Sequence, residues 1–268
     1  MARLSINEVT TFRWSFEEDV QGYRAAGVDG IGVWRQKLAD FGEERGIELL
    51  VESGLAVSSL LWAGGFTGSD GKSFKESIED AKEAIRLAGA MNAGCLIVYS
   101  GPRAGHTHNH ARRLMRGALE EILPLAEAVD VDLALEPMHA GCAADWTFLT
   151  QFDEAIELVR GFGAPRLKLA FDTYHLCQNG STLAKLREIV SHIAIVQLGD
   201  SKEPPHGEPS RSQLGEGNLP LADVVRTLEE SGYQGFYDIE LIGEEIERSD
   251  YQQLVAQSKQ AFEKLLPP

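Results

Sequence analysis

Apolar runs of strand length alternate with longer segments of helical periodicity along the 268-residue chain, and no other feature narrows the fold as much. Eight runs read as strands: LSINEVTT (4–11), VDGIGVW (28–34), AVSSLLWAG (56–64), GCLIVYSG (94–101), VDLALEPM (131–138), LKLAFDTYH (167–175), IAIVQLGDS (193–201) and GFYDIELIG (235–243). Helical patterns lie between them, among others at 73–93, 111–129, 152–163 and 221–232, and a last one, at 250–266, closes the chain. Several end in glycine, which a helix C-terminus prefers. No Ser/Gly linker, low-complexity tract or short repeat divides the sequence, so a single domain over residues 1–268 is expected.

Eight βα units in roughly 250 residues match the α/β class and, within it, the (β/α)8 TIM barrel, whose buried parallel strands read as continuous apolar runs. A doubly wound open sheet is the competing fold; it would need a switch point and usually has fewer strands. Composition closes other routes. With 43% hydrophobic and 25% charged residues the chain can bury a sizeable core. No segment approaches the roughly 18 apolar residues of a membrane span, and the N-terminus has no basic start followed by an apolar run, so a cytoplasmic protein with no membrane partner is expected. Cys95, Cys142 and Cys177 are far apart and form no CxxC pair, which favours reduced thiols over disulfides or a thiolate zinc site. The net charge of −16 would repel a phosphate backbone, so nucleic acid is not an expected partner.

In a barrel, chemistry sits at the C-terminal ends of the strands. The fifth strand ends in Glu136, the sixth in Asp172, the seventh in Gln197 and the eighth in Glu240. Any one of these could simply hydrogen-bond a loop. Four together are different, because three carboxylates in a low-dielectric barrel mouth repel one another unless a cation sits among them. An all-oxygen set of Glu136, Asp172, Gln197 and Glu240 suits Mn²⁺ or Mg²⁺, with Co²⁺ a substitute, whereas Zn²⁺ is more often accompanied by His or Cys.

Glu-Pro after one strand, Asp-Thr-Tyr-His after the next, Gln-Leu-Gly-Asp after the seventh and Glu near the end of the eighth resemble the xylose isomerase-like TIM barrel superfamily. That superfamily includes ketose 3-epimerases, inosose isomerases and dehydratases, hydroxypyruvate isomerases, dehydroshikimate dehydratases and apurinic endonucleases. The resemblance spans nearly the whole chain, with its sharp motifs in the second half. It implies that the metal ligands fall on Glu136, Asp172, Gln197 and Glu240, Gln197 standing where many epimerases have His. It implies a carbohydrate-type small-molecule substrate, and homo-oligomers, since similar proteins often form dimers or tetramers.

Further candidates follow the same strand ends. His175, in Asp-Thr-Tyr-His, resembles a substrate-contacting histidine, although a lone histidine also serves as a core or capping residue. His139 follows the Glu-Pro turn and is a second candidate. Arg211 begins Arg-x-x-x-Gly-x-Gly and, in similar proteins, reaches a substrate hydroxyl or carboxylate; a tight turn beside a solvated arginine would leave the same trace. The loop that contains it, residues 202–213, is long for this position and is a candidate lid or specificity element. Trp62 and Trp34, ending the third and second strands, could wall a sugar ring or simply pack under loops. In GHTHNHARR (105–113) the histidines suit a solvated helix start, with Asn109 as cap and the helix beginning at His110, while His106 or His108 could approach the pocket. GGFTGSDGKS (64–73) fails the phosphate-loop pattern because Phe66 stands where its first glycine belongs.

The expected chemistry is isomerisation or epimerisation of a sugar, polyol or hydroxy-keto acid. Glu136 and Glu240 would approach from opposite sides, one removing a proton to give an enediolate and the other returning it. The same enediolate could expel a β-hydroxyl with His175 or His139 as acid, so a dehydratase or a lyase of keto-glycosides is the alternative. An apurinic nuclease would need more histidine ligands and a basic face. A non-catalytic metal-binding scaffold would need a closed coordination shell.

Overall fold

The computed structural model describes residues 2–178, 182–207 and 209–267. The first half of the chain runs β1 (Arg3–Asn7), α1 (Phe16–Ala26), β2 (Gly30–Trp34), α2 (Arg35–Phe41), α3 (Glu43–Ser53), β3 (Ala56–Gly64), α4 (Phe74–Ala90), β4 (Cys95–Tyr99) and α5 (His108–Ala128). The second half runs β5 (Asp132–Leu135), α6 (Phe152–Phe162), β6 (Leu167–Asp172), α7 (Thr173–Leu176), α8 (Leu183–Ile189), β7 (Ile193–Leu198), α9 (Leu221–Glu230), β8 (Phe236–Ile239), α10 (Glu244–Glu247) and α11 (Tyr251–Leu265). The strands are parallel and close in sequence order, with β8 returning to β1 through Leu4 opposite Tyr237 and Ser5 opposite Asp238. The expected (β/α)8 barrel is therefore the observed fold.

Helix ends follow local chemistry. Ser15 and Ser73 each accept from the amide three residues on, and Glu18 and Glu76 reach back to the cap amides, making a capping box at α1 and at α4. Gly163 ends α6 at φ 61, a conformation that is cheap only for glycine.

Strand alternation gives the barrel two apolar layers and one polar one. Outward residues such as Leu133, Phe171, Val196 and Tyr237 pack under the helices. Inward residues Leu61, Cys95, Ile97, Ala134, Ala170 and Ile195 fill the lower interior. Two residues further along β5, β6 and β7, the inward position becomes Glu136, Asp172 and Gln197. In β8 the inward series runs Phe236, Asp238, Glu240, so a polar layer begins one step earlier there. Asp238 sits in that layer, accepting from Ser5 Oγ at 2.5 Å and Asn7 Nδ2 at 3.0 Å.

The structure corrects several expected boundaries. β1 stops at Asn7, four residues short of the expected strand, and β6 stops at Asp172, whose carboxylate accepts from Tyr174 N at 2.7 Å and starts the short helix α7. His175 thus lies on a helical turn. α5 begins at His108, capped by the Thr107 hydroxyl and not by Asn109, because threonine stands one residue before the turn whose amides need an acceptor. All three cysteines are free and buried. No helix among the described residues is long and apolar enough to cross a membrane.

Candidate active site

Glu136, Asp172, Gln197 and Glu240 occur at the same height on four consecutive strands because each is the next inward position after a buried one. Each is buried in the interior. Glu136 N donates to Val98 O at 2.9 Å and Glu240 N to Leu198 O at 3.0 Å, so both glutamates are held by ladder-type bonds just past their strands. Asp172 and Gln197 are directly paired across β6 and β7.

The cluster is electrostatically loaded. Burial, with the charges of Glu240 and Asp172 added, pushes the Glu136 carboxyl well above the usual range. Burial likewise pushes Glu240 up to about 7, against the pull of Arg211. Arg211, almost fully buried, is the counter-charge: its NH2 lies 2.8 Å from Asp172 Oδ2 and 2.9 Å from Glu240 Oε1, and its NH1 donates to Glu240 O at 3.0 Å. Burial opposes its charge, but Asp172, Glu240 and Glu136 outweigh that and raise its pKa. The alternative reading, a solvated arginine beside a tight turn, is thus not what forms here.

Gln197 Nε2 donates to Glu240 Oε2, which also accepts from Asn7 Nδ2 at 3.1 Å. That leaves Gln197 Oε1 buried without a hydrogen-bond donor. Asp172 Oδ2 has the Arg211 charge beside it but no donor aligned for a hydrogen bond. An orphaned buried acceptor is costly, and Gln197 Oε1 facing a carboxylate cluster fits a cation. Glu136, Asp172 and His175 offer ligand atoms within 4.8 Å of one another, the one such His/Cys/Asp/Glu group among the described residues. The donor set therefore suits a divalent metal, with His175 closer to it than its expected role as a substrate contact suggested.

His175 Nε2 lies 3.9 Å from both Glu136 Oε1 and Asp172 Oδ2, and burial pushes its imidazole down to about 4, against the pull of Asp172. It is neutral at ordinary pH. His139 is not among the residues lining the cavity; its Nδ1 accepts from Gly141 N at 3.1 Å and caps a 3-10 turn, Ala140–Cys142. Trp62 lines the cavity together with Glu136, His175, Arg211 and Glu240. His106 and His108 do not reach it; His106 Nε2 is 3.2 Å from Thr67 O, and His108 Nε2 pairs with Glu154 at 3.4 Å. Tyr99 and Trp146 do line the cavity, although sequence reasoning missed them. Tyr99 ends β4 and obeys the strand-end rule; Trp146 lies in a loop and carries no such signal.

The loop bearing Arg211 is organised from its base. Asp200 Oδ1 accepts from Ser201 N at 2.8 Å and Leu219 N at 3.1 Å, and Oδ2 from Gly215 N at 2.9 Å and Gly217 N at 3.0 Å. This explains Gly-x-Gly. Gly215 adopts φ 86, and a Cβ on Gly217 would run into the Asp200 carboxylate.

The family model described as xylose isomerase-like TIM barrel matches residues 20–265. The chain belongs to that family. Among similar family proteins, an inosose isomerase of Halalkalibacterium halodurans is 27% identical over 76% of this chain and 70% of its own length. One of Bacillus velezensis is 24% identical over 95% of this chain and 92% of its own. Protein SMc04130 of Sinorhizobium meliloti 1021 superposes with a TM-score of 0.92 at 24% identity, covering 99% of this chain and 98% of that one. IolI, whose crystal structure holds a zinc atom, superposes with a TM-score of 0.85 at 20% identity over 98% of both chains. At such identities the likeness to the solved structures establishes the fold.

Proposed function

We propose that this protein is a divalent-metal-dependent isomerase or epimerase of a polyhydroxy ketone, a sugar, polyol or hydroxy-keto acid. The observation that carries the reading is the convergence of Glu136, Asp172, Gln197 and Glu240 with one orphaned acceptor among them, Gln197 Oε1. These four residues would hold the ion, Mn²⁺ or Mg²⁺ suiting an all-oxygen set. When bound, such a cation polarises a carbonyl and its neighbouring hydroxyl and offsets the charge that develops as the intervening C–H proton leaves. The inosose isomerases among its relatives support a hydroxy-ketone substrate.

Glu136 and Glu240 rise from strands separated by two others and so flank the cavity. One removes the proton from the carbon next to the carbonyl. The other delivers a proton to the opposite face, which inverts that centre, or to the adjacent carbon, which moves the carbonyl. His175, neutral and held between Glu136 and Asp172, is placed to hydrogen-bond a substrate oxygen. Arg211 lines the cavity while paired with Asp172 and Glu240, so it meets a substrate from within the carboxylate cluster.

Elemental analysis of purified protein tests the metal, and exchange of the substrate's α-proton with deuterated water tests the chemistry. Glu240→Gln is expected to abolish exchange while the far-UV spectrum and melting temperature stay close to wild type. Exchange at wild-type rate in that variant would refute the role given to Glu240.

A further inference from the structure

The cavity beside the carboxylates is small, about 70 Å³, and lies next to a larger one of about 350 Å³. Trp62, Trp146, Pro209 and Ile242 line both, so the two adjoin across these four side chains. The outer chamber is walled further by Phe12, Trp34, Leu241 and Ile246. An unbroken band of rings leads inward: Phe12 to Trp34 at 5.7 Å between centroids, Trp34 to Trp62 at 6.4 Å, Trp62 to Trp146 at 6.3 Å and Trp146 to Tyr99 at 6.3 Å. Two of these rings are unusually open, Phe12 at 52% and Trp146 at 42% exposure.

The chamber has little to offer a hydroxyl group. Of its polar side chains, Thr10 is already committed, donating to Ile239 O at 3.0 Å and accepting from Leu241 N at 3.0 Å, and Tyr251 Oη meets Arg13 N at 3.5 Å, which leaves Glu247 at the edge and the N–H edges of the three tryptophans, few groups for the many hydroxyls of a sugar. A second sugar unit there would lose its hydration without regaining as many partners, at a cost for every buried hydroxyl left unpaired. An aromatic group meets no such penalty, and it gains area burial and edge or offset contacts with tryptophan. The space is also of the size that binds small-molecule groups.

From this adjacency and chemistry we propose that the outer chamber is a subsite for an aromatic group on the substrate. The substrate is then an aryl-bearing polyhydroxy ketone, its ketose end at the carboxylates and its ring between Trp34, Trp62 and Trp146. This rests on the function proposed above and names the substrate class.

The test compares 1-deoxy-1-phenylamino-D-fructose with D-fructose, titrated into the full chain in Mn²⁺ by calorimetry and tryptophan fluorescence, with 2-naphthol as a third probe. The phenylamino ketose is expected to bind at least about tenfold more tightly than fructose. Phe12→Ser, which alters an exposed ring, is expected to remove most of that factor and leave fructose affinity unchanged. Equal affinities for the two ketoses would overturn the subsite while leaving the isomerase reading intact. Should neither ketose bind nor exchange protons, the isomerase reading fails on its own. Saturable 2-naphthol binding lost in Phe12→Ser would then still support the aromatic subsite, and unsaturable binding would overturn it. A dimer that Phe12→Ser dissociates would also overturn it, by making a second copy of the chain the occupant.

Discussion

Replacing Asp200 with alanine tests whether one carboxylate organises the loop that delivers Arg211. Four backbone amides, those of Ser201, Gly215, Gly217 and Leu219, converge on its two oxygens at 2.8–3.1 Å. Hydrogen bonds to a charged acceptor contribute about 1.5–3 kcal/mol each, so four would amount to roughly 6–12 kcal/mol if they added. They do not add, because the loop can open and rehydrate its amides while the barrel stays folded. Global stability by urea denaturation is therefore expected to fall by about 2–4 kcal/mol, and amide exchange at 215, 217 and 219 to accelerate far more than exchange in the strands. Asp200→Asn should be nearly as damaging, since one oxygen becomes an NH₂ facing two donors. Activity should fall with the loop, because Arg211 N donates to Ile242 O at 2.8 Å within this same organised segment. An Asp200→Ala protein within about 0.5 kcal/mol of wild type, with unchanged exchange at those glycines, would refute the reasoning.

Gln197→Leu should lower metal affinity at least about tenfold in a chelator competition while retaining the fold, since it removes an orphaned acceptor and its contact with Glu240. Lys37→Met should cost about 3–5 kcal/mol in urea, because Lys37 Nζ, on α2, is the buried partner of Asp19 on α1 at 2.6 Å. Asp19 should also give a pH signature. Burial, against the pull of Lys37, pushes its carboxyl up to about 6, so the folded state takes the proton more readily than the unfolded chain. Its contribution to stability is then greatest near pH 4 and lost as pH rises through about 6. The stability of wild type relative to Asp19→Asn should therefore grow by about 1–3 kcal/mol between pH 7.5 and pH 4.5, and a flat difference would contradict the raised pKa.

The barrel was legible because parallel strands buried on both faces must read as apolar runs, and all eight were found. Their ends were less so: Thr10 and Thr11 continue the β1 pattern, yet the chain turns at Asn7, where Thr10 N donates to Asn7 O at 2.9 Å. The carboxylates of the site were visible because a charged residue at the top of an inward-facing apolar series is conspicuous. Polar neighbours such as Asp238 and Asn7 were not, since only the last residue of a strand was expected to matter and β1 was drawn too long. Arg211 stood out by motif, but its burial between Asp172 and Glu240 depends on a loop whose course no periodicity records. The 105–113 histidines stand at the start of α5, as their reading as a helix start expected, whereas the turn that His139 caps left no mark in the sequence.

The seam between β1 and β8 joins residues more than 230 positions apart, Ser5 to Asp238 and Asn7 to Glu240. The cluster is therefore completed by the last contact to form in chain order, since Asn7 is available from the start of synthesis and Glu240 only near its end. Half-length fragments ending before β8 would lack Glu240 altogether, and a fragment lacking β1 would leave it without its amide donor. If the cluster holds an ion as proposed, capturing it would signal that the ring of strands has closed. A truncated or mis-registered copy would have no complete cage with which to sequester an ion from the correctly folded ones.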